Sequence, residues 1–293
     1  MGCESTGGAA SESDIGAEVE QMASDFLELR EMKGFLHDMP LAEAYRWQDY
    51  FVASMQPALG DVAGYKTGGH DPGPGFPTFP PGGIRATLLA GTIHPSGTGI
   101  RPEQVVRGFL EADFAFRVGD ESINSATTDL EILAGLDAII PFAEIPDPFY
   151  EQGSRTINGT VVANMSSRFA FVGEPVSIAA TDEWLRRINN MKFAVLDEHD
   201  AEIAAGTMDG WYEPVKVVRW LRDQLQESGK VLRKGQILSL GNIGIIRQIH
   251  ANAPNGEPPY ESNEFRLEYY GLRDDGPATV TIRLERQIGR PIP

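Results

Sequence analysis

Residues 109–118 read Phe-Leu-Glu-Ala-Asp-Phe-Ala-Phe-Arg-Val, and this segment constrains the chain more than any other. Its alternation is that of a β-strand, in which successive side chains point to opposite faces. Leu110, Ala112, Phe114 and Phe116 form one apolar face, and Glu111 and Asp113 share the other. The two carboxylates then stand about 7 Å apart at their bases, twice the rise per residue. Such a strand needs a core on one side. On the other it needs either water or a cation between its acids. A hard divalent ion with oxygen ligands at about 2.0–2.1 Å fits that gap, and so does a solvated polar face.

A second acid ends an apolar run in Ile139-Ile140-Pro141-Phe142-Ala143-Glu144-Ile145-Pro146-Asp147. A carboxylate there is costly unless it is paired, metal-bound or turned to water at the strand end. Gly64-Tyr65-Lys66-Thr67-Gly68-Gly69 places a lysine among glycines, which permit close backbone approach to a ligand. A lysine beside a metal site is expected to have a lowered pKa and to serve in proton transfer. The spacing is not that of a phosphate-binding P-loop.

Periodicity places helices at 19–29, 40–55, 127–135, 181–188 and 214–227. Strands are expected at 84–90, 109–118, 138–145, 160–164, 167–172, 191–197, 201–205, 236–240, 243–249, 263–271 and 278–285. Residues 1–18, rich in Ser, Gly, Ala and Glu, read as a mobile tail. Residues 19–66 form a helical segment, and 67–293 a core that opens with the Gly/Pro-rich stretch 67–83, a surface insertion or a lid. Residues 251–262 form another turn-rich insertion. The sum is an α+β chain built on a curved, mostly antiparallel or mixed sheet.

The balance of 25 basic and 42 acidic residues argues against a nucleic-acid partner, which needs clustered Lys and Arg. No apolar run is long enough to cross a membrane. The single cysteine, Cys3, excludes an intramolecular disulfide and a cysteine-based zinc site. Its Met-Gly-Cys setting fits three readings: an incidental cysteine, a bacterial lipoprotein junction followed by a flexible tether, or Gly2 myristoylation beside an acylated cysteine. His37, His199 and His250 read as surface or core residues. Two glycosylation-type sequons, at Asn158 and Asn164, lie in or beside the expected core.

The order and spacing of these fragments resemble the 2-keto-4-pentenoate hydratase branch of the fumarylacetoacetate hydrolase superfamily. The resemblance runs from about residue 25 to the end. It rests on AEAYRWQDYFVASM at 42–55, GYKTGG at 64–69, FLEADFAFRV at 109–118 and FAEIPD at 142–147. VVANMSSRFAFVG at 161–173, EPVKVVRWLRDQLQESGKVLRKGQILSLGNI at 213–243 and the strands of 264–285 continue it. The chain departs from the pattern where Asp113 replaces a Glu, where Ala163 stands for an Asp, and where Trp211-Tyr212-Glu213-Pro214 replaces a Gly-His-Pro.

The resemblance implies a fumarylacetoacetase C-terminal-like β-roll with a small N-terminal helical segment. It implies Mg²⁺ or Mn²⁺ held by Glu111, Asp113 and Glu144, with Lys66 and Asn164 as catalytic residues. Tyr65, Gly68, Ser166 and Ser167 would contact a small 2-oxo acid. The implied activity is that of a hydro-lyase, adding water to a 2-hydroxy-2,4-dienoate through a dienolate. The alternatives are decarboxylation of a 2-oxo-3-enedioate and C–C hydrolysis of an acylpyruvate. Hydrolysis ranks lower because His70 and His94, the histidines nearest these motifs in sequence, form no His–Glu pair. A catalytically silent, lipid-anchored binding protein is the alternative of another class. The resemblance also implies a homo-oligomer and a cytoplasmic location, against export and anchoring through Cys3.

Overall fold

The computed structural model describes residues 11–70, 79–208, 213–244, 246–249 and 261–286. Cys3, Trp211, His250, residues 71–78 of the 67–83 stretch and residues 251–260 of the 251–262 insertion lie outside them. In chain order the elements are α1 (Glu12–Leu27), α2 (Leu41–Leu59), β1 (Val62–Gly68), β2 (Ile84–Leu89), β3 (Ile93–Pro95) and β4 (Gly99–Ile100). Then come β5 (Phe109–Val118), α3 (Asp129–Ala134), β6 (Leu136–Pro146), α4 (Ile157–Val162), β7 (Ser167–Val172) and β8 (Val176–Ser177). The chain continues through α5 (Asp182–Asn189), β9 (Lys192–Leu196), β10 (Glu202–Thr207) and α6 (Pro214–Glu227). It closes with β11 (Ile237–Ser239), β12 (Ile246–Gln248), β13 (Glu264–Tyr270) and β14 (Ala278–Leu284).

The main sheet runs β2-β1-β11-β5-β6-β7-β3, with β12 on β5 and β8 on β6. β2 and β3 therefore sit at opposite ends of a seven-strand path, yet only Ala90–Thr92 separate them in sequence. Laid flat, that path would span about 29 Å at roughly 4.8 Å per strand spacing. Four Cα steps reach at most about 15 Å. The sheet must curl until its ends approach, and the result is a roll with a lumen. Asn164 ties the seam. Its side-chain amide accepts from the Thr87 N–H at 2.7 Å and donates to the Thr87 carbonyl at 2.8 Å, as a neighbouring strand would.

The second sheet, β10-β9-β13-β14-β4, packs on the outside of the roll. Leu110, Ala112, Phe114 and Phe116 of β5 meet Phe265, Leu267, Tyr269, Val280 and Ile282 in the largest core. The stripe Val217, Val218, Leu221 and Leu225 seats α6 in the same core, as its helical spacing predicts. The two N-terminal helices cover the seam. Val19, Phe26, Phe51 and Val52 pack there against Ile84, Leu89 and Val161–Ala163. Gln48 of α2 donates to the carbonyls of both Arg85 and Val161 and so spans the seam from outside.

Three local expectations are corrected. α1 begins at Glu12, inside the stretch expected to be a mobile tail, because Ser11 and Asp14 form a capping box. Residues 157–162 form a helix where a strand was expected over 160–164. The Thr156 side chain caps it by accepting from the Gly159 N–H, and burial of Val161 and Val162 outweighs their β-preference. α2 also runs on through Pro57 to Leu59.

Candidate active site

The lumen is divided in two. Leu88, Ala115, Ile140, Phe142 and Ala170 fill one part with apolar side chains. The other part collects Lys66 from β1, Glu111 and Asp113 from β5, Glu144 from β6 and Ser239 from β11. Register brings them onto one face: Lys66 pairs with Ser239, Ser239 with Ala115, and Glu111 lies directly opposite Glu144. Strand alternation adds Asp113, two residues from both Glu111 and Ala115.

Lys66, Asp113 and Glu144 are almost wholly buried, at 2%, 0% and 2% exposure, whereas Glu111 is half-buried. Lys66 Nζ donates to Glu144 Oε2. Burial pushes the lysine pKa down, but Glu144, Glu111 and Asp113 together outweigh it and hold the ammonium above the ordinary lysine value. Burial raises Glu111 to about 7, against the attraction of Lys66 and Arg155. Burial also pushes Asp113 well above the usual carboxylate range, and the neighbouring Glu144 adds to it.

Asp113 is held from three sides. Its Oδ1 accepts from the Phe114 N–H at 2.5 Å, and its Oδ2 from the Ser239 hydroxyl and from the Gly241 N–H at 3.2 Å. Gly241 has φ +93°, and a Cβ there would meet the Thr67 carbonyl oxygen at 2.8 Å. Only glycine lets the β11 exit approach β1 and reach Asp113. Behind the strand pair, the Tyr269 hydroxyl donates to the carbonyls of Asp113 and Phe142. Sequence reasoning singled out neither Ser239 nor Tyr269. A serine inside the apolar run Ile237-Leu238-Ser239-Leu240 was the available signal for the first.

Three carboxylates face one ammonium in this cluster, and Glu144 Oε1 is buried with no hydrogen-bond partner. The donor set fits a hard divalent cation, which prefers carboxylate oxygen and relieves buried negative charge. Among the described residues, no three His, Cys, Asp or Glu side chains converge tightly enough to hold an ion as they stand. Lys66 lies against Glu144 instead.

The other sequence-derived candidates, Gly68 apart, lie elsewhere. Tyr65 points to the opposite face of β1 and is buried in the large outer core. The amide of Asn164 is committed to Thr87 at the seam. Ser166 donates its N–H to the Ala163 carbonyl and accepts at its own carbonyl from Asp147. Ser167 lines a cavity of about 10 Å³, room for one water, among Phe26, Thr87 and Asn164. Gly68 ends β1 on the lumen face. His70 stacks edge-on to Trp220 at 4.8 Å, and His94 lies beside Phe169 and Phe171.

Residues 164–166 are unusual. Asn164, Met165 and Ser166 have φ of 53°, 51° and 55°, three successive left-handed residues without a glycine. Each is disfavoured by about 1–2 kcal/mol. Such a segment persists only where its surroundings fix it, here through Asn164 on Thr87 and Ser166 on Asp147.

No protein-family model and no curated protein matches the chain by sequence. Solved structures do match it. The 4-oxalocrotonate decarboxylase of Pseudomonas putida G7, complexed with magnesium and adipate, aligns with a TM-score of 0.71 at 18% identity, over 94% of this chain and 98% of that one. The same enzyme complexed with calcium and acetate aligns with a TM-score of 0.70 at 17% identity and the same coverage. A fumarylacetoacetate hydrolase from Exiguobacterium antarcticum aligns more loosely, with a TM-score of 0.47 at 11% identity over 79% of this chain and 77% of that one. The rolled mixed sheet, its outer sheet and its helical cover thus give this chain the fold of 4-oxalocrotonate decarboxylase.

Proposed function

We propose that the chain is a divalent-metal-dependent hydro-lyase that adds water to a 2-hydroxy-2,4-dienoate. The observation that carries this reading is the buried Lys66 ammonium on Glu144, on one lumen face with Glu111 and Asp113. Glu111, Asp113 and Glu144 would hold Mg²⁺ or Mn²⁺. The ion would supply Lewis acidity toward the carboxylate and 2-oxo oxygens of the substrate.

The chain's own groups do the rest. Lys66 holds a proton at Nζ and delivers it to the terminal carbon of the dienol while the 2-hydroxyl gives up its own proton to water, leaving the conjugated 2-oxo form to which water adds. Ser239 and the Gly241 N–H keep Asp113 from rotating. Phe142, Ile140 and Ala115 exclude water from behind the site, so its charges act in a low dielectric.

A second reading is decarboxylation of a 2-oxo-3-enedioate, favoured by the likeness of fold to 4-oxalocrotonate decarboxylase. Both reactions pass through a dienolate of the 2-oxo acid. The test incubates the full chain with 2-hydroxypenta-2,4-dienoate and MgCl₂ or MnCl₂, following dienol absorbance and products by NMR. A parallel arm with 2-oxohex-3-enedioate follows CO₂ release. Hydration that stops with chelator and in Glu111→Ala is the expected result. Turnover only in the second arm selects decarboxylation, and turnover in neither arm rejects both readings.

A further inference from the structure

The lumen face of β1 ends at Gly68, two residues beyond Lys66 and so on the same side of the strand. A Cβ at Gly68 would meet the terminal methyl of Met165 at 2.6 Å. The methionine methyl therefore occupies the space that a side chain at position 68 would fill, on the face that carries Lys66. At Gly69 a Cβ would meet the Phe79 ring at 2.5 Å. The paired glycines make room for two apolar side chains at the rim of the polar part of the lumen.

Met165 reaches this place because of its backbone. It is the middle member of the left-handed run 164–166, whose neighbours are tied to Thr87 and Asp147. Its stem packs on the cluster beneath the N-terminal helices, and the residue stays partly exposed. A long, unbranched, flexible side chain is thus held at its base and left adjustable at its tip.

We propose that Met165 is a specificity-determining residue: its methyl, seated over Gly68, forms the wall that limits the tail of the 2-oxo acid bound beside Lys66. This rests on the reading of the site as a 2-oxo acid site and names what sets its size. A tail that extends past Lys66 along the lumen face must displace this methyl. Short tails fit under it.

The test uses the full chain with MgCl₂ and three probes, 2-oxobutanoate, 2-oxohexanoate and 2-oxooctanoate. Binding is measured by calorimetry on wild type, Met165→Ala and Met165→Leu. In parallel, methyl-¹³C-methionine NMR follows the Met165 resonance, identified by its loss in Met165→Leu. The expected result is a Met165 methyl that shifts on binding. The preference for the short over the long acid should fall about tenfold or more in Met165→Ala, the scale on which apolar pockets discriminate. Met165→Leu keeps the volume and should stay within about twofold of wild type.

If wild type binds the series but the preference is unchanged in Met165→Ala, the proposal is overturned, whether or not the methyl shifts, and the function reading stands. If wild type binds none of the acids, the function reading falls and this wall falls with it. Should Met165→Ala fail to fold, Met165→Asn, short and tolerant of the left-handed region, carries the same expectation.

Discussion

The two parts of the lumen share β5 and β6 and differ in what they need. Around Phe142, Ile140, Ala115, Leu88 and Ala170 the roll is closed by shape alone, and any well-fitting apolar set would serve. Around Lys66, Glu111, Asp113 and Glu144 it encloses charge. Desolvation opposes the charge of Lys66, Glu111 and Asp113 there; partners outweigh it for the lysine, and burial prevails for the two acids. The apolar part stabilises the roll by burial, whereas the polar part holds charge that burial opposes.

The largest effect expected from breaking this contrast is on turnover. Lys66→Met removes the proposed proton donor while keeping the side chain's bulk, and should lower kcat by roughly 10²–10⁴-fold in a dienol absorbance assay. A variant with more than a tenth of wild-type kcat would remove Lys66 from the chemistry.

On the apolar side, Phe142→Ala should destabilise the chain by about 3–5 kcal/mol, read as a lower urea midpoint without added metal. A loss under about 1 kcal/mol would mean that the lumen collapses freely and that its two parts are not mechanically distinct.

Smaller still is the seam. Asn164→Ala leaves the Thr87 N–H and carbonyl without their partner and should cost about 1–3 kcal/mol. If Asn164 acts only through the roll, kcat at saturating substrate should stay within about threefold for the folded fraction. A loss comparable to that of Lys66→Met, at unchanged stability, would return Asn164 to the chemistry.

The smallest effect marks where the polar part stops. His70 Nε2 lies 2.8 Å from Thr67 Oγ1, and that hydroxyl donates to the Leu240 carbonyl, so Nε2 is the donor. Burial lowers its pKa from 6.5 to about 4. Between those values the unfolded chain takes up a proton that the folded chain refuses. Stability is therefore intact above about pH 6.5 and falls as pH drops through about 4. Urea midpoints at pH 7.5 and 5 should converge more closely in His70→Gln than in wild type. Equal slopes in both would place His70 in contact with water.

Local pattern carried far along this chain. The alternation of 109–118 placed Glu111 and Asp113 on one face, and β5 has those limits. Pro214 and Gly229 bracket α6, and residues 167–172 form β7 as read. These features depend on a strand's two-residue or a helix's 3.6-residue period, which few neighbours suffice to express. Segment 157–162 defeated the same logic because tertiary burial, not β-propensity, chose its conformation.

The site divides in the same way. Glu111, Asp113 and Glu144 were legible as acids set among apolar strand residues, where charge is costly, whereas Lys66 read as part of a glycine-rich turn and joined them only through the resemblance. That Lys66 meets Glu144 across 78 positions, that Tyr65 turns away and that Asn164 is used on Thr87 follow from register and closure. The sequence by itself determined which faces carry charge and which are apolar, because alternation is a property of the strand alone. Only the tertiary structure decided which charges share a lumen and which methyl stands over Gly68. Closing a roll joins strands far apart in the chain, and no local period encodes that distance.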